Sequence, residues 1–200
     1  YKKALIRRQA VLGAEHPDTL SSRNNLAVLY KSQGRYAESE PLLKEALTQR
    51  RAVLGADHPD TLTSLNNLAG LYQSQGRYGE AEPLLKEALA KSNVVLGADH
   101  PDTLSNLNNL AMLYQSQGRY AESEPLLKEA LTQCQTVLGA DHPHTLGSLN
   151  NLAGLYKSQG RFGEAEPLYN EALTKSQAVL GAEHPLTKTI ISNLEVLRKA

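Results

Sequence analysis

Apolar residues recur along the chain at steps of three and four, which is the spacing of one face of an α-helix. One such stretch carries Leu62, Leu65, Leu68, Ala69 and Tyr72. A second stretch follows and carries Tyr78, Ala81, Leu85, Ala88 and Leu89. Charged residues lie between the apolar positions of the second stretch, so one face should be buried and the other should meet water. The pattern predicts two amphipathic helices, which we call helix A and helix B.

Start and stop signals bound the two helices. Pro59 suits a first helical turn, where its missing N–H leaves no bond unmade, and Asp60 places a negative charge near the positive end of the helix dipole. Gly76 and Gly97 follow helices A and B, and glycine adopts the positive φ that ends a helix without steric cost. No strand pattern or Pro/Ser-rich linker interrupts the alternation, so the sequence predicts an all-α chain.

Each of the four full B helices has a proline beyond its first turn, where proline removes a backbone hydrogen bond at a cost of about 3 kcal/mol. These prolines are Pro41, Pro83, Pro125 and Pro167. The carbonyl four residues before each proline loses its partner. We therefore predict a bend or a loosened turn near Ala37, Gly79, Ala121 and Gly163.

The helix pair recurs at a constant interval of 42 residues, marked by the dipeptide His-Pro at His16, His58, His100, His142 and His184. Residues 1–200 are therefore predicted to form a single array. It comprises a partial helix B at 1–13, four full A/B pairs at 17–54, 59–96, 101–138 and 143–180, and a C-terminal capping helix at 185–200. In the last helix Glu195 and Arg198 replace the alanine and tyrosine of the pattern, as expected where an outer face meets water. The start at Tyr1 falls within a repeat and suggests that helix B is cut there.

The repeat resembles a known family. Leu68-Ala69-x-x-Tyr72, then Gly76, then Ala81-x-x-x-Leu85 and Ala88 are similar to the tetratricopeptide pattern of Leu-Gly-x-x-Tyr followed by Ala-x-x-x-Phe. The ordinary repeat has 34 residues, and the longer unit here, with its "LGADHPDTL" extension, resembles those of kinesin light chains and their bacterial and nephrocystin-like relatives. The resemblance implies a right-handed superhelix, an α-solenoid of antiparallel helix pairs, whose A helices line a concave groove that binds extended peptides.

A helix pair with two apolar faces cannot bury both by itself, so each pair must stack on its neighbour. Small residues then set how closely the helices approach, and the candidates are Ala27, Ala69, Ala111 and Ala153 on the A helices with Ala81 and Ala88 on a helix B. Only 5% of residues are aromatic, Trp is absent and there is one Phe. The core is therefore expected to consist of Leu, Ala and Tyr.

Composition restricts the possible partners. Twenty-one basic residues balance twenty-one acidic ones, so net charge does not concentrate the chain on nucleic acid or on an anionic membrane, and we expect neither partner. The lone Cys134 cannot form an internal disulfide, which fits a reducing, cytoplasmic location. Ser92 and Ser176 occupy the same place in other repeats, which disfavours a reactive thiol at Cys134. No cofactor is expected.

The repeated histidine permits two interpretations, a general base or metal ligand, and a helix start. Histidines one repeat apart along a solenoid should lie about 10 Å apart, one helix diameter, which is too far to share a metal with bonds of about 2 Å. His144 and Leu186 also replace the aspartate in two copies of His-Pro-Asp. We therefore predict helix starts, no metal site and no catalytic residues. The sequence also lacks a phosphate loop or nucleophile elbow, and an enzyme is not expected.

The resemblance assigns peptide binding to the A helices. Paired asparagines occupy the groove positions, and an amide both donates and accepts, so it can pair with a peptide backbone without reading side chains. The alternative for each asparagine is a hydrogen bond that braces the neighbouring repeat. The predicted groove residues are Asn24, Asn25, Val28, Lys31, Asn66, Asn67, Gly70, Gln73, Asn108, Asn109, Met112, Gln115, Asn150, Asn151, Gly154 and Lys157.

A protein-interaction scaffold is thus the expected function, with a protein or peptide as ligand. A structural spacer that self-associates end to end through its N-terminal face, and a sensor arm of a larger multidomain protein, stay open as alternatives. The groove lacks the basic cluster with which animal kinesin light chains receive acidic cargo peptides. We expect a neutral groove to favour uncharged or mildly acidic segments, with an affinity that depends weakly on salt.

Overall fold

The computed structural model describes residues 1–199, which form ten α-helices and no strands. The helices are α1 (Lys2–Leu12), α2 (Pro17–Ser32), α3 (Tyr36–Val53), α4 (Pro59–Ser74), α5 (Tyr78–Val95), α6 (Pro101–Ser116), α7 (Tyr120–Leu138), α8 (Pro143–Ser158), α9 (Phe162–Leu180) and α10 (Pro185–Leu197). The even-numbered helices are the predicted A helices and the odd-numbered ones are the predicted B helices. The all-α prediction is confirmed.

The helices form two compact units, Tyr1–Val95 and Leu96–Ala200. Within the first unit each helix packs against the next in the chain, and α2 also packs against α4. Within the second unit the same order holds from α6 to α10, and α8 packs against both α6 and α10. Consecutive helix pairs therefore stack within each unit, with one A helix beside the next.

The predicted glycine stops have the expected geometry. Gly76, at φ 72°, ends α4, and the Arg77 N–H behind it donates to the Tyr72 carbonyl at 2.8 Å. The Gly76 N–H donates to the Gln73 carbonyl at 3.0 Å, so this turn is a Schellman motif that satisfies carbonyls left free at the helix end. The turn reverses the chain at the point where helix B must begin to pack back on helix A.

The B helices continue through their prolines without a break in helical structure. Pro41 and Ala37 are both exposed, and the same holds at the other three sites. The freed carbonyl can therefore be solvated, which reduces the cost of the missing bond. A loosened turn near these sites stays a prediction.

Small residues lie where helices A and B meet, as predicted. Ala27, Ala69, Ala111 and Ala153 are wholly buried. In two repeats a buried serine of helix B bonds directly to helix A. The hydroxyls of Ser39 and Ser123 donate at 2.7 Å to the carbonyls of Ala27 and Ala111. The rest of the core is mainly Leu, with Tyr, as the composition indicated.

A charged cluster bridges neighbouring repeats in the first unit. Arg77, in the turn after α4, pairs with Glu40 of α3 at 2.7 Å between Nη1 and Oε2. The same guanidinium lies 4.2 Å from the centre of the Tyr72 ring, a cation–π contact. Lys44 contacts the other carboxylate oxygen of Glu40 at 2.7 Å. Hydrogen bonds from Arg77 and Lys44 lower the pKa of Glu40 to about 2.

The second unit repeats this cluster. Glu124 of α7 accepts from Lys128 and from Arg161 of the turn after α8, both at 2.7 Å. The Arg161 guanidinium lies 4.0 Å from the centre of the Tyr156 ring. Hydrogen bonds from Lys128 and Arg161 lower the pKa of Glu124 to about 2. Each carboxylate therefore stabilises the stack only while it is ionised.

We predict that the double variant E40Q/E124Q is less stable than the parent at pH 7 by about 1 kcal/mol per carboxylate, a value reduced for solvent screening. Because the folded-state pKa values lie below the ordinary value of 4.5, the contribution is present above pH 4.5 and is lost as pH falls towards 2. Urea unfolding followed by circular dichroism at pH 7, 4 and 2.5 measures it.

The matched control is E15Q/E195Q, because both carboxylates are exposed and make no ion pair among the described residues. This control should stay near the parent at every pH. A deficit of E40Q/E124Q that is the same at pH 7 and pH 2.5 would contradict the assignment of stabilising charge to these two carboxylates.

Candidate functional site

The predicted groove residues lie on the A helices, on a surface that is neither fully buried nor fully open. We call this surface the A-helix face: the side chains at the predicted positions of α2 and α4 in the first unit and of α6 and α8 in the second. Most of them are half-buried, whereas Asn24 is only 5% exposed and Asn25 and Met112 are exposed. The half-buried members are Val28, Lys31, Asn66, Asn67, Gly70, Gln73, Asn108, Asn109, Gln115, Asn150, Asn151, Gly154 and Lys157.

Asparagines of neighbouring repeats bond to each other along this face. Asn67 Nδ2 on α4 donates to Asn24 Oδ1 on α2 at 3.1 Å. In the second unit Asn151 donates to Asn108 at 3.4 Å, and Asn193 of α10 donates to Asn150 at 2.9 Å. The second asparagine of one pair thus braces the first asparagine of the pair before it. Bracing, the alternative interpretation of these residues, is therefore present at several of them.

The first asparagine of a pair can make several side-chain hydrogen bonds, as Asn108 does. Asn108 Nδ2 donates to the Leu104 carbonyl at 3.0 Å and to Ser148 Oγ at 3.2 Å, while its Oδ1 accepts from Asn151. Asn25 and Asn109, by contrast, make no side-chain hydrogen bond within residues 1–199. Their amides are therefore unpaired within the described part of the chain.

The variable positions of the face have different local contacts. Lys31 Nζ lies 3.2 Å from the point where a Cβ on Gly70 would be, so the missing side chain leaves room for the lysine to reach α4. Burial lowers the pKa of Lys31. In the second unit, Gly154 lies over the wholly buried Tyr169, whose hydroxyl is 3.4 Å from the point where a Cβ on Gly154 would be. Burial raises the pKa of Tyr169 to about 12.

A hydrogen bond near the C-terminal ends of α6 and α8 also joins neighbouring repeats on this face. Gln115 Nε2 on α6 donates to Ser158 Oγ on α8 at 2.9 Å. Met112, one turn earlier on α6, is an apolar residue and is 41% exposed. Lysines stand at Lys31 and Lys157, and no acidic residue belongs to the predicted groove set.

A cleft of about 350 Å³ opens on this face between the N-terminal halves of α6 and α8. We call it the α6–α8 cleft. It is lined by polar and apolar residues together, which are Ser105, Asn108, Asn109, Met112, Pro143, His144, Gly147, Ser148, Asn151 and Leu186. Four of the predicted groove residues of the second unit, Asn108, Asn109, Met112 and Asn151, therefore border this shallow cleft.

The repeated histidines start the A helices. His58 precedes the first helical residue, and its Nδ1 accepts from the Asp60 N–H at 3.1 Å, the bond of an N-cap. The other four histidines make the same contact at 3.2 Å. The predicted role as helix starts is confirmed, and histidine acts here through a ring nitrogen where Ser, Asp or Asn is usual.

Cys134 packs as a small buried residue. It is 1% exposed, its Sγ lies 3.7 Å from Ser148 Oγ, and burial raises the pKa of its thiol. Within residues 1–199, no three His, Cys, Asp or Glu side chains gather as a metal site requires. No helix in that range is long and apolar enough to cross a membrane.

A family model described as "Tetratricopeptide repeat" matches five overlapping segments, residues 1–48, 23–93, 68–132, 102–176 and 147–198. The chain belongs to the tetratricopeptide repeat family. The matches cover nearly all of it, so the repeats inferred from the His-Pro interval are tetratricopeptide repeats with an extended connection.

The solved structures that are similar to this chain include repeats of kinesin light chains. A protein from Podosopora anserina described as a kinesin light chain with nearly identical TPR-like repeats is 30% identical, with 92% of this chain and 87% of that chain covered and a TM-score of 0.73. A single-substitution variant of it gives 29% identity with the same coverage and TM-score. The structure of BtubC (BKLC) from P. vanneervenii is 23% identical, covers 99% of this chain and 80% of that chain, and has a TM-score of 0.79. No curated protein sequence matches.

Sequence reasoning missed several residues that shape the face. Ser105, Gly147 and Ser148 line the cleft but were not among the groove residues expected from the pattern. His144 was noted only as a departure from His-Pro-Asp. One of these residues could have been noticed in the sequence, because position 147 holds glycine where the other repeats hold serine or threonine. Its place in the cleft depends on how α6 and α8 pack, which the sequence does not show.

We predict that H58A lowers the free energy of unfolding by about 1 kcal/mol, because α4 loses the acceptor for its Asp60 N–H. Asparagine supplies an amide oxygen at the same place, so H58N should lie within a few tenths of the parent. Urea unfolding followed by circular dichroism compares the three proteins at pH 7.5. Equal stability of H58A and the parent would show that the imidazole contributes no cap.

Proposed function

We propose that this tetratricopeptide repeat chain is a protein-interaction scaffold that binds an extended peptide segment across its A helices, along α2 and α4 of the first unit or α6 and α8 of the second. Members of the family generally bind protein partners. The observation that supports the proposal most is that the asparagines of the A-helix face fall into two groups. Some brace the repeats, while Asn25 and Asn109 keep both amide functions available.

Backbone recognition suits these groups. An extended peptide presents an N–H and a C=O at every residue, and one amide side chain can accept from the first and donate to the second. The bracing bonds hold the neighbouring asparagines in place beforehand, which reduces the ordering needed when a ligand binds. A site built in this way should recognise an extended chain more than a particular sequence.

The same features argue for a scaffold rather than an enzyme. The histidines are engaged as helix caps through Nδ1, and the thiol of Cys134 is buried. No cofactor enters the proposal, and the balanced charge gives no reason to expect nucleic acid or a membrane as the partner. We place the protein in the cytoplasm on the strength of its single, buried cysteine.

The test uses peptides selected from a phage-displayed library of random dodecapeptides panned on the parent chain. The double variant N25A/N109A should bind the selected peptides at least about ten-fold more weakly, the loss of one or two hydrogen bonds, while its helicity by circular dichroism is unchanged. The control is N93A, which removes an exposed asparagine from helix B α5 and should bind as the parent does.

The affinity should change only slightly between low and high salt, because the main contacts are between neutral groups. Equal binding by the parent and N25A/N109A would overturn the proposal, as would selection of no peptide at all. A collapse of affinity in high salt would instead show that charge dominates recognition.

Self-association is a second candidate function, supported by exposed apolar residues on α1. Ile6 is 58% exposed and Val11 is 80% exposed, whereas the equivalent Val53 of α3 is 45% exposed. An apolar strip of this kind can bury itself against another copy. Light scattering during the peptide titrations separates the two functions. Association through α1 should raise the mass of the protein as its concentration rises, and N25A/N109A should associate as the parent does.

A further inference from the structure

Three departures from the repeat pattern meet in the α6–α8 cleft. Leu186, in the first turn of α10, stands where three of the five His-Pro copies are followed by aspartate. Gly147 stands where the other repeats have serine or threonine, and Met112 stands where they have valine or glycine. All three residues line the cleft. The surface here therefore differs in chemistry from the same surface elsewhere in the array.

These departures give the cleft apolar walls and free space. Met112 is 41% exposed, Leu186 is half-buried and Pro143 is exposed. A Cβ on Gly147 would meet nothing within 4 Å, so the missing side chain leaves open space beside α8. A group that enters the cleft can therefore contact a thioether and an aliphatic side chain without displacing a side chain from Gly147.

Several polar groups of the lining are already paired. The Ser105 hydroxyl donates to the Pro101 carbonyl at 2.9 Å, and the Ser148 hydroxyl donates to Cys134 Sγ at 3.7 Å. The Asn108 amide donates to Ser148 Oγ at 3.2 Å. An apolar group can cover these donors without leaving them buried and unpaired, which is the main cost of burying polar groups.

The cleft also lacks formal charge on acidic, lysine and arginine side chains. Among the described residues that line it there is no Asp, Glu, Lys or Arg. A charged side chain that entered would lose hydration without gaining an ion pair with any of these groups. An apolar side chain has no such cost and gains free energy from burial.

Asn109 connects the cleft to the peptide backbone. It lies three residues before Met112, on the same face of α6, and both residues line the cleft. Its amide makes no side-chain hydrogen bond within residues 1–199. A peptide whose backbone pairs with Asn109 therefore brings a neighbouring side chain to Met112.

We propose that the α6–α8 cleft binds a large apolar side chain, of about the size of leucine, against Met112 and Leu186. The side chain belongs to a peptide whose backbone is held at Asn109. The volume of about 350 Å³ lies at the lower end of the range of about 300–1,000 Å³ for small-ligand sites, which suits one side chain. The proposal rests on the proposed function, which it deepens by naming the class of residue that the second unit prefers.

A carboxylate is the competing occupant. Neither α8 nor α10 has an acidic residue in its first turn, and a helix N-terminus carries partial positive charge. The absence of lysine and arginine from the described lining argues against it, because a bound carboxylate would have no such cation to pair with.

The test uses Met112, which is the only methionine of the chain, as a reporter in the cleft. The protein is labelled with ¹³C at the methionine methyl group and freed of any start methionine with a cleavable tag. It is titrated in the NMR spectrometer with ten-residue alanine–serine peptides, acetylated and amidated, that differ only at one central residue. That residue is leucine, asparagine, which is similar in shape but polar, or glutamate.

The leucine peptide should bind about five-fold more tightly than the asparagine peptide, as expected for partial burial of one leucine side chain. Its leucine methyl groups should show nuclear Overhauser effects to the Met112 methyl group. The glutamate peptide should bind no more tightly than the asparagine peptide.

Two variants control the test. G147T/L186D restores residues found in the other copies, narrows the cleft and adds a carboxylate, so the preference for leucine over asparagine should fall to about one-fold. G163T makes the same glycine-to-threonine change at an exposed position of α9, where a Cβ also meets nothing within 4 Å, and should keep the preference. Circular dichroism establishes that both are folded. If G147T/L186D does not fold, G147T alone takes its place and should at least halve the preference.

The outcomes separate this proposal from the proposed function. Equal binding of the leucine and asparagine peptides to the parent overturns the cleft assignment and leaves backbone binding intact. A leucine preference that persists in the narrowed variant, tighter binding of the glutamate peptide, or a bound leucine peptide with no contact to the Met112 methyl group also overturns it. Failure of every peptide to bind the parent counts against peptide binding itself.

Discussion

Burial of one apolar face of each helix against the next helix pair is the interaction on which the chain depends. Leu65 and Ala69 of α4 are fully buried. Within a pair, helices A and B are close enough for the Ser39 hydroxyl to donate to the Ala27 carbonyl. Because one helix pair cannot bury both faces alone, each repeat is stable only beside another. The histidine caps begin the A helices and the Schellman turns end them, and the Glu–Arg–Tyr clusters tie the turn of one repeat to helix B of the one before.

This arrangement leaves one face of each A helix uncovered, and polar residues on that face both brace the stack and remain available for binding. The bond from Asn67 to Asn24 spans two repeats, while Asn25 beside it is exposed. In the proposed function, such amides would bind the backbone of a peptide without selecting its side chains. Residues that differ between the repeats of this face, such as Val28, Gly70, Met112 and Gly154, are where a preference for one peptide over another can arise.

The helices were predictable because their signals are local. Apolar spacing, a proline at the start and a glycine at the end are enough to predict an all-α chain of alternating A and B helices. The roles of individual groove residues were less predictable, since bracing depends on distances between helices that the sequence does not contain. Arg50 and Cys134 look like ordinary variation between repeats. Only packing shows that Arg50, near the end of a helix B, reaches between two A helices and bonds to Ser21 and Ser64.

The most direct test of stacking through small residues is the free energy of unfolding of A69L, measured by urea titration against A52L. Ala69 is wholly buried on α4, whereas Ala52 is exposed on α3. Overpacking should make A69L less stable than the parent by about 1–3 kcal/mol, and A52L should stay within about 0.5 kcal/mol of it. If A69L were as stable as A52L, the helices would not meet through their small residues, and close stacking of the helix pairs at these alanines would be contradicted.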